Sequence, residues 1–325
     1  MRRDIITKKS EGGGGKMKVA VIGASNIDIT ARPYGKYIPR DSNPSRVTVT
    51  YGGVGRNIAH NLCFLGEAVD FITCFGGDEY ASLLMNDCRR LGMDISRAAV
   101  YPEERSSYYI CITDEGGDLA SGASDMELAK HIDVPFLTKN ADAFETADAV
   151  VFDTNPEPDV LLWLCKNCKT PLFADAVSCG KAGKLRYILD NAKSHSIHTL
   201  KMNDLEAEVL FGSSIRDEND MADAAESMLR KGVKRVFITL GAGGVFCMDG
   251  NSRLLLPCMK TSIESATGAG DSFLSAVIHA YGKGYDLRKT ALCGLAAAKI
   301  TLESKSAVSE NMSAENLEKV ISNII

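Results

Sequence analysis

Lys18-Val19-Ala20-Val21-Ile22-Gly23 is a short unbroken apolar run closed by a glycine, and its reading decides the fold. A strand with one wet face alternates apolar and polar residues. A continuous run suits a strand covered on both faces. The same wording returns at Val69-Asp70-Phe71-Ile72-Thr73-Cys74, Ala149-Val150-Val151-Phe152, Leu172-Phe173-Ala174, Thr199-Leu200-Lys201-Met202 and Arg235-Val236-Phe237-Ile238-Thr239. Helical stretches lie between them, over 58–65, 80–91, 159–167, 185–192, 204–211 and 220–231. Strands alternating with helices predict parallel βαβ units, hence an α/β protein. Such a sheet binds its ligand beyond the carboxyl ends of its strands.

Two stretches break the rhythm. Residues 44–51 and 106–113 are rich in β-branched and aromatic residues and lead into turns, not helices. They predict a small separate sheet, placed as a lid over a site, as a contact between copies of the chain, or as both. Upstream of the first strand, residues 1–16 end in four glycines and Lys16 and read as a disordered leader.

Composition narrows the function. The chain has 325 residues, 45% hydrophobic and 24% charged, with a net charge of -5. That balance predicts a soluble protein and argues against a nucleic-acid surface, which needs clustered Lys and Arg. No run approaches the roughly 18 apolar residues of a membrane span. Ten cysteines are scattered through apolar segments without a compact framework. They read as buried thiols of a cytoplasmic protein, and the Cys165/Cys168 pair has no second pair to complete a metal site.

Chemistry is densest in Ala266-Thr267-Gly268-Ala269-Gly270-Asp271-Ser272-Phe273. Gly268 and Gly270 allow successive N–H groups to converge, and the apolar helix expected over 272–278 adds the positive end of its dipole. Asp271 at the mouth of that cradle suits a general base taking a proton from an alcohol. The alternative is an ordinary glycine turn with Asp271 as N-cap. Asn26 and Asp28, two apart on an extended segment, share a face and suit vicinal sugar hydroxyls; a turn pair is the alternative. In Gly52-Gly53-Val54-Gly55-Arg56-Asn57 the glycines allow close approach to a ligand, and Asn57 offers a donor and an acceptor. Asn203 and Glu206 stand i, i+3 and read either as oxygens for Mg²⁺ or as a capping box. The turn containing Thr239, Gly241 and Gly244 reads as a phosphate-facing loop or as a hairpin.

These segments, in this order from about Met17 to the C-terminus, resemble the ribokinase-like (PfkB) family of carbohydrate and nucleoside kinases. The resemblance implies a three-layer sandwich with a mostly parallel central sheet and a small β lid, the lid from about 30–51 and 104–125 and the kinase domain over 17–325. It implies Asp271 as base, with the N–H groups of Gly268, Ala269 and Gly270 holding the charge of the transferred phosphoryl. It assigns Asn26, Asp28, Gly53, Asn57 and Asn155 to the substrate. Asn203, Thr239, Gly241 and Gly244 fall to ATP, and Asn203 with Glu206 to Mg²⁺. Within the family, Gly52-Gly53-Val54-Gly55-Arg56-Asn57-Ile58-Ala59, Asp175-Ala176-Val177-Ser178 and the segment 198–208 are most similar to pseudouridine kinases. The implied reaction is phosphorylation of the pseudouridine 5′-hydroxyl. Ser265, six residues before Asp271, stands where members activated by a monovalent cation carry Asp, and argues against a K⁺ requirement. The expected partner is a small nucleoside, with a homodimer formed through the lid, and Tyr108, Tyr109 and residues 122–126 are candidates to read the base. Two alternatives remain: a kinase for another sugar or nucleoside such as ribose or adenosine, and a non-catalytic sugar- or nucleotide-binding regulator.

Overall fold

The computed structural model describes residues 16–192 and 197–323. The expected leader, apart from Lys16, lies outside them. In chain order the strands are β1 (Lys18–Ile22), β2 (Asn26–Pro33), β3 (Ser45–Gly52), β4 (Ala68–Ile72), β5 (Cys74–Phe75), β6 (Ala99–Val100) and β7 (Ser107–Thr113). They continue as β8 (Leu119–Asp125), β9 (Ala149–Asp153), β10 (Leu172–Asp175), β11 (Ile197–Asn203), β12 (Arg235–Thr239), β13 (Val245–Asp249) and β14 (Arg253–Leu256).

The unbroken apolar runs end up where their wording requires, in the middle of an eight-stranded sheet ordered β14-β13-β12-β11-β10-β9-β1-β4. From β4 through β12 all neighbours are parallel. Val19 and Val21 of β1, with Ala149 and Val151 of β9, pack on one face against Ile58, Leu62, Phe273 and Val277. Ala20 and Ile22, with Val150 and Phe152, pack on the other against Leu161, Leu185, Ala207 and Met228. Helices Val54–Phe64, Ala269–Gly282 and Leu287–Leu302 thus cover one side. Pro158–Asn167, Cys179–Asn191, Asp204–Phe211 and Glu218–Arg230 cover the other. The result is the three-layer α/β/α sandwich.

The predicted strand 69–74 is split. β4 ends at Ile72, and Cys74–Phe75 leaves the sheet to pair with β6. The sequence reading also missed β13 and β14, which extend the sheet by two antiparallel strands beyond β12. Hairpin strands of five and four residues carry too short a pattern to stand out beside a turn.

A second sheet, ordered β3-β2-β7-β8, is built from two insertions, one after β1 and one after β6. Its first strand starts at Asn26, so the expected boundary near residue 30 cuts through β2 and is corrected to 26. Register places Asp28 beside Thr50 on β3 and Tyr109 on β7, with Ser124 next across the ladder. Side chains in such a row project from one face.

Candidate active site

The polar residues of the central sheet gather at its carboxyl edge, as parallel α/β sheets dictate. Asp153, ending β9, is fully buried, and Oδ2 accepts N–H bonds from Ala24 and Gly55, both at 3.0 Å. Its Oδ1 accepts from the N–H of Asn155 at 2.9 Å. One carboxylate therefore ties the segment after β1 to the start of helix Val54–Phe64. Burial pushes its pKa up, against the pull of these bonds.

Asp271 sits in the first turn of helix Ala269–Gly282, which begins three residues earlier than the sequence predicted. The cause is Gly268, whose φ of 83° turns the chain into the helix. A Cβ there would lie 1.9 Å from the carbonyl oxygen of Ala307, so no other residue fits. Gly268, not Asp271, is the N-cap, and no side chain caps this end. The first-turn N–H groups of Ala269 and Gly270 thus remain available to an anion. The Asp271 carboxyl is pushed up to about 7, first by burial and then by Asp175; Asn57 and Lys201 pull the other way. Asn57, expected to bind the substrate, donates from Nδ2 to Asp271 Oδ2 at 2.8 Å. Its Oδ1 is buried and has no partner among the described residues. Asn57 orients the carboxylate and keeps an acceptor to spare.

Asn26 and Asp28 share a face as predicted, and Asn26 Nδ2 donates to Asp28 Oδ1. Burial raises the Asp28 pKa to about 6, opposed by Asn26 and by the positive charge of Arg56. Gly53 caps helix Val54–Phe64 with φ 100°, and its carbonyl accepts from the N–H of Asn57 at 2.8 Å. Asn155 carries its Oδ1 to the ammonium of Lys181.

Asn203 and Glu206 realise the capping box. Asn203 Oδ1 accepts from Glu206 N at 2.8 Å, and Glu206 Oε2 from Asn203 N at 2.8 Å. Glu206 is buried, which raises its pKa, and its Oε1 stays outside the box. No cluster of three acidic, His or Cys side chains able to hold a metal occurs among the described residues. The donors that remain fit an ion held largely by water and phosphate oxygens, as Mg²⁺ commonly is. Thr239 ends β12, and the turn that follows is a hairpin into β13, closed by Leu240 N to Gly244 O at 2.9 Å. Gly241 opens the turn at φ 54°. Gly244 has φ 95°, and a Cβ there would meet the Leu256 carbonyl oxygen at 2.0 Å, so its glycine is required by packing against β14.

Of the two tyrosines, Tyr109 stands in the Asp28 row. Tyr108 points to the opposite face, where its hydroxyl donates to Asp78 at 2.9 Å. The sequence reading passed over Asp153, Asp78, and the Asp175–Lys201 ion pair at 3.0 Å. A visible signal existed for the last: Lys201 is the single charged residue in an otherwise buried strand run, and such a residue is seldom buried unpaired.

A family model for pfkB family carbohydrate kinases matches residues 16–314. The pseudouridine kinase of Escherichia coli (strain K12) is 29% identical over 308 residues, covering 94% of this chain and 96% of that protein. An uncharacterized sugar kinase of the same organism, YeiI, is 31% identical over 299 residues, covering 91% and 81%. The ribokinase of Thermotoga maritima superposes with a TM-score of 0.82 at 23% identity, covering 94% of this chain and all of that one. Its backbone places this fold among the ribokinase-like α/β folds. The site thus gathers a buried aspartate in the first turn of a helix that no side chain caps, and the chain belongs to the pfkB family of carbohydrate kinases.

Proposed function

We propose that this chain phosphorylates the 5′-hydroxyl of pseudouridine with Mg·ATP, giving pseudouridine 5′-phosphate and ADP. The observation that carries the chemistry is Asp271, poised near pH 7 and held by Asn57 at the open end of its helix. The substrate assignment rests on the likeness to the E. coli pseudouridine kinase across nearly the whole chain.

In this reading Asp271 removes the hydroxyl proton as the oxygen attacks the γ-phosphorus and the bond to the ADP oxygen breaks. The N–H groups of Gly268, Ala269 and Gly270 receive charge developing on the transferred group. Asp28 and Asn26, with Gly53 and Asn57 beside them, hold the ribose hydroxyls; Asn155 lies on the substrate side. Thr239, Gly241, Gly244 and Asn203 line the nucleotide path. Mg²⁺, when bound, neutralises phosphate charge, and Asn203 with Glu206 would hold it through water. The small sheet acts as a lid whose polar row, Thr50, Asp28, Tyr109 and Ser124, faces the nucleoside and excludes water.

The opposite face of that sheet carries Val49, Ile29 and Ile110 in one row, and Val49 and Ile110 are exposed. That face is the proposed contact of a homodimer. The ten cysteines are thiols and not disulfides, which suits work in the reducing cytoplasm.

A coupled ADP-release assay with Mg·ATP against pseudouridine, uridine, ribose, adenosine and fructose 6-phosphate tests the reading. Turnover confined to pseudouridine is the expected result. Turnover on ribose or adenosine would overturn the base preference and keep the Asp271 chemistry. No turnover on any substrate would bring the regulator reading forward.

A further inference from the structure

Helix Glu79–Arg90 carries none of the proposed chemistry, yet both strands that flank β2 in the small sheet are fastened to it. Its N-cap is Asp78, and the cap itself uses one bond, from the N–H of Ala81 to Oδ1 at 2.9 Å. Three further bonds arrive from the chain that enters and forms β7. Ser106 gives its N–H to Oδ2 at 2.9 Å and its hydroxyl to Oδ1 at 2.7 Å, and the Tyr108 hydroxyl donates to Oδ2 at 2.9 Å. Burial raises the Asp78 pKa, and the bonds from Ser106, Ala81 and Tyr108 outweigh it, leaving the carboxyl below the usual aspartate value. A Cβ on Gly77 would lie 2.1 Å from the Pro102 carbonyl oxygen, so the chain before Asp78 lies flush against the turn that leads to β7. The second tie runs to β3. Arg56 is buried, donates from Nη1 to the Tyr51 carbonyl at 2.9 Å, and pairs through Nη2 with Asp87 in the last turn of the same helix. Tyr51 and Tyr108 are the two register neighbours of Ile27, which is fully buried. The next residue is Asp28, which projects to the other face with Thr50 and Tyr109. The helix therefore grips the sheet one residue away from the row assigned to the nucleoside.

We propose that Asp78 is a positioning residue for the acceptor nucleoside: it fixes β7 on helix Glu79–Arg90 and, with the Arg56–Asp87 tie to β3, sets where Asp28 stands. A helix cap needs one acceptor, and Ser would supply it as well as Asp. The second oxygen of Asp78, turned to Ser106 and Tyr108, serves the small sheet alone. One tie would leave that sheet free to swing about it. Two ties, on either side of β2, fix its tilt. Asp78 touches neither nucleoside nor ATP and takes part in no proton or phosphoryl transfer. Its effect reaches the sugar through the ladder that joins Tyr108 to Ile27 and Tyr109 to Asp28.

The inference rests on the reading of the small sheet as a lid whose Asp28 binds the sugar, so Asp28→Ala is assayed with pseudouridine beside the test variants. Asp78→Ser keeps the cap and is too short to reach Tyr108. Tyr108→Phe keeps the ring edge-to-face with Tyr80 and removes a single bond. Unfolding midpoint, ADP affinity, acceptor KM and kcat are measured for each, and for Asp78→Ser combined with Asp28→Ala. Asp78→Ser should raise KM about tenfold or more, the loss of bonds to a charged group, with kcat and ADP affinity within about threefold. Tyr108→Phe should raise KM in the same direction by less. In the Asp28→Ala background Asp78→Ser should add little, because both act through one carboxylate. A cap that serves only the fold would lower the midpoint and leave KM native, which overturns the proposal. Effects on KM that multiply in the double variant overturn it as well. Should Asp78→Ser not fold, Tyr108→Phe decides, and a native KM there counts against the tie. A native KM in Asp28→Ala, or a native chain idle on pseudouridine, would instead bring down the underlying reading and this proposal with it.

Discussion

At the residue scale the site depends on carboxylates held away from their solution behaviour. Burial raises the Asp271 pKa to about 7, well above the ordinary aspartate range. A carboxyl whose folded pKa lies above its unfolded one binds more protons when folded, so stability falls as pH rises between those two values. Asp271 therefore costs the fold stability where the enzyme works. Asp271→Asn should raise the thermal midpoint above pH 7 while lowering kcat by at least about 10³, the upper range for general-base catalysis and more. Calorimetry and turnover on the same sample check both halves, and an unchanged or lower midpoint would contradict the burial argument. In the native enzyme kcat should climb as pH rises through about 7. In the proposed reading Asp28, raised to about 6, accepts sugar hydroxyls best when ionised. Acceptor KM should accordingly fall as pH rises through 6, and Asp28→Ala should raise KM at least tenfold and lose that dependence. A flat KM profile in the native enzyme would remove Asp28 from the sugar site.

At the element scale, glycines decide where strands and helices can meet. The segment between β12 and β13 was read from its glycines as a phosphate loop or a hairpin, and the ladder shows the hairpin, whose turn can still face a phosphate. Gly244→Ala would combine a positive φ with a clash against the Leu256 carbonyl, and should destabilise by about 2 kcal/mol or more. Urea unfolding measures this. A change below about 0.5 kcal/mol would mean the β14 backbone yields. The Asn203–Glu206 pair carries a different lesson: the cap and the metal reading are compatible, because the box leaves one Glu206 oxygen unused.

At the scale of the whole molecule, two insertions separated by more than fifty residues build one sheet beside the carboxyl edge of another. Its two faces differ, polar around Asp28 and apolar around Val49. If the apolar face joins two copies, Val49→Lys should convert a dimer to a monomer in sedimentation velocity without changing the unfolding midpoint by more than a few degrees. A native monomer, or a dimer that survives the substitution, would locate the contact elsewhere.

The sequence by itself determined the parallel α/β architecture and marked one segment as the candidate seat of the chemistry. Short unbroken apolar runs bounded by turns and alternating with helices suit buried parallel strands, and Gly268-Ala269-Gly270-Asp271 concentrates a candidate base and cradle within four residues. Both are local signals, carried by neighbours along the chain. What only the tertiary structure decided was long-range pairing: that Asn57 holds Asp271 across 214 positions, that Asp153 joins β1 to a helix 98 positions before it, and that Lys201 meets Gly270. Asn57 could be read as a ligand for a sugar because an isolated amide carries no record of its partner. Lys201, alone in an apolar run, signalled a buried charge in the sequence, but nothing along the chain named Asp175 as its partner. Hydrogen bonds and ion pairs across the sheet edge depend on distance in space, and parallel strands separated by whole helices leave no periodicity in the sequence to encode it.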